Sequence, residues 1–194
     1  MTSRNHGARF QREILFLIAG WLTASIAAHA QVTVVSLGNV SAGVNSEVIV
    51  PVLLNPATTE TKVGSVSATI GYNSSVAAFL RGEKGFLLDG VNAKLQTKSE
   101  VNAADPAKSR LQLTVATEGE PRKALREGLL LSLIFKINAD APLKTKMPLT
   151  VSQLRAESPD SPPVAINPLT GTPGSIEVLS PESVPYVGCF FFTH

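Results

Sequence analysis

Residues 128–138 read Gly-Leu-Leu-Leu-Ser-Leu-Ile-Phe-Lys-Ile-Asn, and this run restricts the fold more than any other stretch of the chain. In an extended backbone Leu129, Leu131, Leu133, Phe135 and Ile137 share one face, with Leu130, Ser132, Ile134 and Lys136 opposite. The period-2 pattern and its aromatic, β-branched end predict a strand rather than a leucine-rich helix. Burying those five side chains at roughly 1.5–3 kcal/mol each gives on the order of 10 kcal/mol, an upper bound that suits a central strand.

The neighbouring sequence follows the same rule. Residues 32–37 and 47–54 are rich in β-branched positions, the first stopped by Gly38-Asn39. Pro51 cannot donate to a ladder, which predicts an edge position or a bulge there. Val66, Ala68, Ile70 and Tyr72 alternate with Ser67, Thr69 and Gly71, and an Asn73-Ser74-Ser75 turn leads to residues 76–80. Tyr72 falls on the core side. Residues 93–99 and 110–117 alternate again, with Leu111, Leu113 and Val115 opposed to Gln112 and Thr114. Strands at 149–154, 164–167 and 175–179 complete the set, the last after a turn at Gly171-Thr172-Pro173-Gly174. Two irregular stretches, 82–92 and 100–109, interrupt them. Nine or ten short strands without an amphipathic helix predict an all-β fold, a two-sheet antiparallel β-sandwich.

The first thirty residues stand apart. Arg4, Arg9 and Arg12 precede the apolar run 14–27, and Ala28-His29-Ala30 offers small residues at both positions read by a signal peptidase. We therefore expect a cleaved export signal at 1–30, cleavage between Ala30 and Gln31, and a folded domain over 31–179. The apolar run is shorter than the roughly 20 residues a spanning helix requires. The pattern is that of a bacterial protein, secreted or held in the cell envelope. Cleavage removes three Arg and one Glu, taking the formal net charge from +2 to zero. It also removes Trp21, His6 and His29, leaving His194 as the sole histidine.

Those losses exclude much. A neutral chain lacks the clustered cations that drive nucleic-acid binding. Without an internal His there is no Ser-His-Asp or Cys-His unit and no His-based metal site. Glu118 and Glu120 sit in a Gly-Pro loop among Arg122, Lys123 and Arg126, an arrangement that reads as solvated. Asp89, Asp105, Asp140 and Asp160 are scattered without the spacing of a calcium loop. The expectation is a protein that is not an enzyme and takes no cofactor or metal. Beyond a Pro-containing linker, residues 180–194 end in Tyr-Val-Gly-Cys-Phe-Phe-Phe-Thr-His, with the only Cys of the chain at position 189. This tail reads as a sorting or anchoring tag acting through Cys189, or as a strand folding back on the sandwich.

In order and spacing the strands resemble the cohesin domain family. The resemblance is carried by Val32-Thr33-Val34 with Val40-Ser41-Ala42-Gly43, by Glu47-Val48-Ile49-Val50-Pro51-Val52, by Ala68 to Val76, by Gly128 to Lys136 and by Gly174-Ser175-Ile176-Glu177-Val178. Asn73 stands where the family usually has Asp, and Gly71 where a larger residue is common. The resemblance implies a jelly-roll module that docks a helical dockerin, or another surface protein, on one sheet face. From the alternation, that face comprises Ser65, Ser67, Thr69, Lys94, Gln96, Gln112 and Thr114. It also implies a role in polysaccharide catabolism. A carbohydrate-binding module of the same sandwich fold is the alternative, though its ligand would need exposed aromatics and the processed chain has no Trp. A structural envelope module anchored by the tail is a third reading.

Overall fold

The computed structural model describes residues 31–88 and 90–180. The proposed signal, with Ala28 and Ala30, and the Cys189 tail lie outside the described residues. Eleven strands and two short 3-10 helices, Phe86–Leu88 and Pro106–Lys108, make up the body. The strands are β1 (Thr33–Leu37), β2 (Asn39–Gly43), β3 (Glu47–Asn55), β4 (Ser65–Tyr72), β5 (Ala77–Lys84), β6 (Ala93–Glu100), β7 (Ser109–Thr117), β8 (Gly128–Ile137), β9 (Lys146–Glu157), β10 (Leu169–Thr172) and β11 (Gly174–Leu179). They form a five-stranded sheet, β10-β1-β3-β8-β5, and a six-stranded sheet, β2-β11-β9-β4-β7-β6. The two enclose the core as a β-sandwich.

The alternation dictates what enters that core. Val48, Val50, Val52 and Leu54 of β3 meet Leu131, Leu133, Phe135 and Ile137 of β8. Against them pack Val66, Ile70 and Tyr72 of β4 and Leu111, Leu113 and Val115 of β7. Tyr72 and Phe79 each present an edge contact to Phe135, at centroid distances of 5.5 Å. The Tyr72 hydroxyl reaches the rim and shares a 2.8 Å hydrogen bond with Ser99 Oγ, so its polar end is satisfied. At the β4–β5 turn, Asn73 Oδ1 accepts from the Ser75 amide and hydroxyl at 3.0 and 2.8 Å. An Asp would serve there in the same way. Asn138 Nδ2 then donates to the Ser74 and Ser75 carbonyls, tying the turn to the end of β8.

Four details differ from the sequence expectation. First, pairing is not wholly antiparallel: β1 runs parallel to β10, and β2 parallel to β11. The stretch 38–43 crosses to the second sheet and forms β2, and 171–174 makes the same crossing instead of a hairpin turn. Second, residues 164–167 form no strand. Ala165 makes an isolated bridge to Glu157, and the pairing strand comes just later, at β10.

Third, Pro51 lies in an interior strand. Its carbonyl accepts from the Gly38 amide at 2.9 Å, so its nitrogen also points toward β1. The last β1 pair is Leu37 with Val52. Beyond it β1 leaves the sheet, and no acceptor waits for the missing N–H. Fourth, the register of β3 and β8 slips at Leu130, opposite the Val52/Leu53 step. The bulge turns the buried Leu130 into the role predicted for Leu129, which is only half-buried. A second slip in β5 leaves Leu80 without a partner on β8, and it is 42% exposed.

Phe135 has no exposure and joins both aromatic contacts. Truncation leaves a cavity between the sheets. Phe135→Ala is expected to lower unfolding free energy by about 3–5 kcal/mol in urea titrations, whereas Leu80→Ala at the exposed slip should cost under about 1 kcal/mol.

Candidate functional site

Seven residues on three strands were expected to share a face, and the register brings them together. Across β6, β7, β4 and β9 the outward positions form four rows. Lys94, Ala116, Ser65 and Glu157 make the first, and Gln96, Thr114, Ser67 and Arg155 the second. Lys98, Gln112, Thr69 and Ser152 make the third, and Glu100, Arg110, Gly71 and Thr150 the fourth. All seven predicted residues therefore lie in the first three rows. At about 4.8 Å between strands and about 6.8 Å between same-face residues, the grid measures roughly 14 by 20 Å.

Most of it faces solvent. Lys94, Gln96, Gln112, Ser152, Arg155 and Glu157 are exposed, while Ser65, Ser67 and Thr114 are half-buried between longer neighbours. Thr69 differs from expectation: it is 7% exposed, and its hydroxyl donates to Gln153 Oε1 at 2.8 Å. A bulge in β9 places Gln153 at φ 50°, in the left-handed region, and swings its carboxamide over Thr69. Gln153 is thus the group presented to solvent where Thr69 was expected. No aromatic side chain occupies any of the sixteen grid positions.

The charges are those of an open surface. Lys98 Nζ donates to Glu100 Oε1 at 2.8 Å, and that hydrogen bond raises the lysine and lowers the carboxyl from their ordinary values. On the loop beside the fourth row, Lys108 and Asp105 pair at 2.9 Å, and the hydrogen bond from Lys108 holds the Asp105 carboxyl below its usual range. Both pairs are well exposed, so neither anchors the fold. Among the described residues no group of three or more His, Cys, Asp or Glu side chains is placed to hold a metal ion.

Sequence reading missed the fourth strand of this face. Residues 149–154 read as a strand, but the bulge at Gln153 breaks the alternation before Arg155 and Glu157. What places β9 beside β4 is a pairing more than eighty residues apart in sequence, seen in the 3.2 Å hydrogen bond from Ser152 Oγ to the Thr69 carbonyl. Lys98 and Arg110 were legible from the alternation in β6 and β7, whereas Glu100, expected in the irregular stretch, is the last residue of β6.

The protein is thus a two-sheet sandwich with one broad, polar, solvent-facing sheet. A model of the cohesin domain matches residues 33–178, and the chain belongs to the cohesin domain family. Solved structures agree on the fold. The seventh ScaB type I cohesin of Pseudobacteroides cellulosolvens aligns with TM-score 0.61 and 14% identity, over 81% of this chain and 99% of that one. The sixth cohesin of scaffoldin B from Acetivibrio cellulolyticus, solved with a mutant Cel5 dockerin, gives 0.59 and 18%, over 76% and 99%. A non-cellulosomal cohesin from the archaeon Archaeoglobus fulgidus gives 0.56 and 18%, over 78% and 94%. A comparison with curated proteins finds no match.

The exposed pairs make a pH prediction. Asp105 is lowered in the folded state, so its pairing favours folding above the ordinary Asp range near pH 4, and this is lost as pH falls through the lowered value. Carboxyl-detected NMR titration should give a midpoint below that of free Asp. Lys108→Met should return it to the ordinary range; an unchanged midpoint in that variant would show the pair does not form.

Proposed function

We propose that this protein is a non-catalytic docking module that binds a helical protein partner of the dockerin kind on the outer face of β9, β4, β7 and β6. The observation that carries this reading is the grid itself, where residues from four strands converge on one polar surface. An α-helix is about 10–12 Å across with its side chains, so the grid offers room for one helix lying along the strands and part of a second. Small hydroxyl residues on the two inner strands (Ser65, Ser67, Thr114) let a helix approach closely, and the longer amides and charges around them supply hydrogen bonds. Membership of the cohesin family supports the class of function, and one of the similar structures was solved with a dockerin bound.

The polysaccharide alternative draws no support from this face, because sugar recognition leans on exposed aromatic rings and the grid has none. Tyr72, the aromatic on β4, is 2% exposed and packs inward. We further propose that the module is exported by its first thirty residues and acts at the surface or in the medium of a bacterium that degrades polysaccharides. The readings of Cys189 as an anchoring tag and of a purely structural envelope module depend on residues outside those described.

The test is a pull-down with the unit from Gln31 onward as bait on secreted and envelope fractions of the producing cell, beside a Ser67→Arg bait. Ser67 sits mid-grid with its side chain on the outer face, so an arginine there blocks close approach, and a native urea unfolding transition for this bait shows that its fold is kept. A partner with duplicated calcium-loop helices should be held by the native bait and lost at least about tenfold with Ser67→Arg, as hot-spot disruption at an interface centre does. Equal capture by both baits, or depletion onto cellulose or xylan with no protein partner, would overturn the proposal.

A further inference from the structure

The grid has one hole. Gly71 stands between Arg110 and Thr150 in the fourth row and contributes no side chain. A Cβ built there would lie 2.5 Å from Thr150 Oγ1, so the Thr150 hydroxyl leans over the bare backbone and would have to rotate away for any larger residue. Gly71 also lines a cavity of about 490 Å³ that opens on the outer face. Lys108 and Arg110 line one side, Pro148 and Thr150 the other, and Gln153 borders it toward the third row.

The lining has a definite sign. Two cations border the cavity, and no carboxylate does so among the described residues. The acids nearby are already engaged, and Glu100 also feels the charge of Arg110. Glu100, opposite Arg110 in register, is held by Lys98 at 2.8 Å. Asp105 binds Lys108, in a pair so exposed that it can exchange. Arg110 itself forms no ion pair among the described residues. A guanidinium offers a planar fork of donors that matches a carboxylate, and here it borders an unfilled socket beside the Thr150 hydroxyl. The grid as a whole carries four cations, Lys94, Lys98, Arg110 and Arg155, against Glu100 and Glu157.

We propose that the Gly71 socket receives one acidic side chain, Asp or Glu, from the docked partner, held by Arg110 with Lys108 and Thr150 at its sides. The proposal rests on the docking-face reading and adds to it a polarity: the partner must present a carboxylate at the end of the grid near the β4–β5 turn. Filling the hole with a β-branched residue would remove the socket while suiting the strand, because Gly71 is not in the left-handed region and the atom it meets is a rotatable hydroxyl.

The test uses acetate as the probe for a carboxylate side chain and needs no partner. Acetate replaces chloride at constant ionic strength in amide NMR spectra of the unit from Gln31 onward, with acetamide as the neutral isostere. The expected result is saturable shifts at the Gly71, Arg110 and Thr150 amides by roughly 100 mM acetate, no matching shifts with acetamide, and at least about fivefold weaker binding in Arg110→Gln and Gly71→Val. The melting temperature of Gly71→Val shows whether Thr150 rotates to admit the new side chain, and Arg110→Gln, which adds no bulk, separates a lost socket from a damaged fold. Shifts that never saturate, that appear equally around Lys62, Lys123 and Arg126, or that survive both variants would overturn the socket. Failure here leaves the docking face standing. If instead a captured partner is indifferent to Ser67→Arg, the face itself falls.

Discussion

The rest of the sandwich depends on how the first and last strands change sheets together. β1 and β10 lie side by side in one sheet, β2 and β11 side by side in the other, and both pairs cross between sheets at Gly38 and Pro173. The crossing is tight. A Cβ on Gly38 would fall 2.6 Å from the Pro51 ring, and one on Gly174 would strike the Gly38 carbonyl oxygen and lie 2.7 Å from Leu37 Cβ. Ser175 Oγ locks the second half by donating to Asn39 Oδ1 at 2.7 Å. Only residues without side chains allow the two backbones this proximity. Because β11 in turn pairs with β9, the crossing fixes the β2 edge of the sheet that carries the grid.

How much of this was legible in the sequence follows from the range of the interactions involved. Alternation is local, so β3, β4, β6, β7 and β8 were readable from their own residues, and with them the inward set apart from Leu129 and the outward positions apart from the buried Thr69. Events that depend on a neighbour were not. Asn39 to Gly43 has only Val40 and Ala42 as a short apolar face, and β11 lying beside it completes it as a strand. Pro51 looks like an edge residue until one sees that β1 departs opposite it. The slips at Leu130, Leu80 and Gln153 each insert one residue against an unbroken partner strand, and nothing in Leu-Leu-Leu or Ser-Gln-Leu announces which residue is extra.

The same slips shape the face. In β9 the bulge buries Thr69 under Gln153 and restores Arg155 to the outward side, so a local irregularity sets which groups a partner meets. Functional surfaces on sheets are commonly re-aimed in this way. The β6 edge of the sheet is lined by Lys94, Lys98 and Glu100, charges that discourage edge-to-edge association and leave the flat face as the surface open to a partner. The polar middle and charged margin follow from amino-acid choice on strands whose inner faces are committed to the core.

The lysines of the chain give the most direct measurement of the central claim, that a partner docks on the outer face of β9, β4, β7 and β6. Lys94 and Lys98 stand on that face, Lys84 and Lys136 on strands of the opposite sheet, and Lys62 and Lys123 on loops, all exposed. Acetylation rates of each can be followed by mass spectrometry with and without a partner module bound. The account predicts strong protection of Lys94 and Lys98 and unchanged reactivity at Lys62, Lys84, Lys123 and Lys136. Protection of Lys84 and Lys136, with Lys94 and Lys98 still reactive, would contradict it and move the binding surface to the other side of the sandwich.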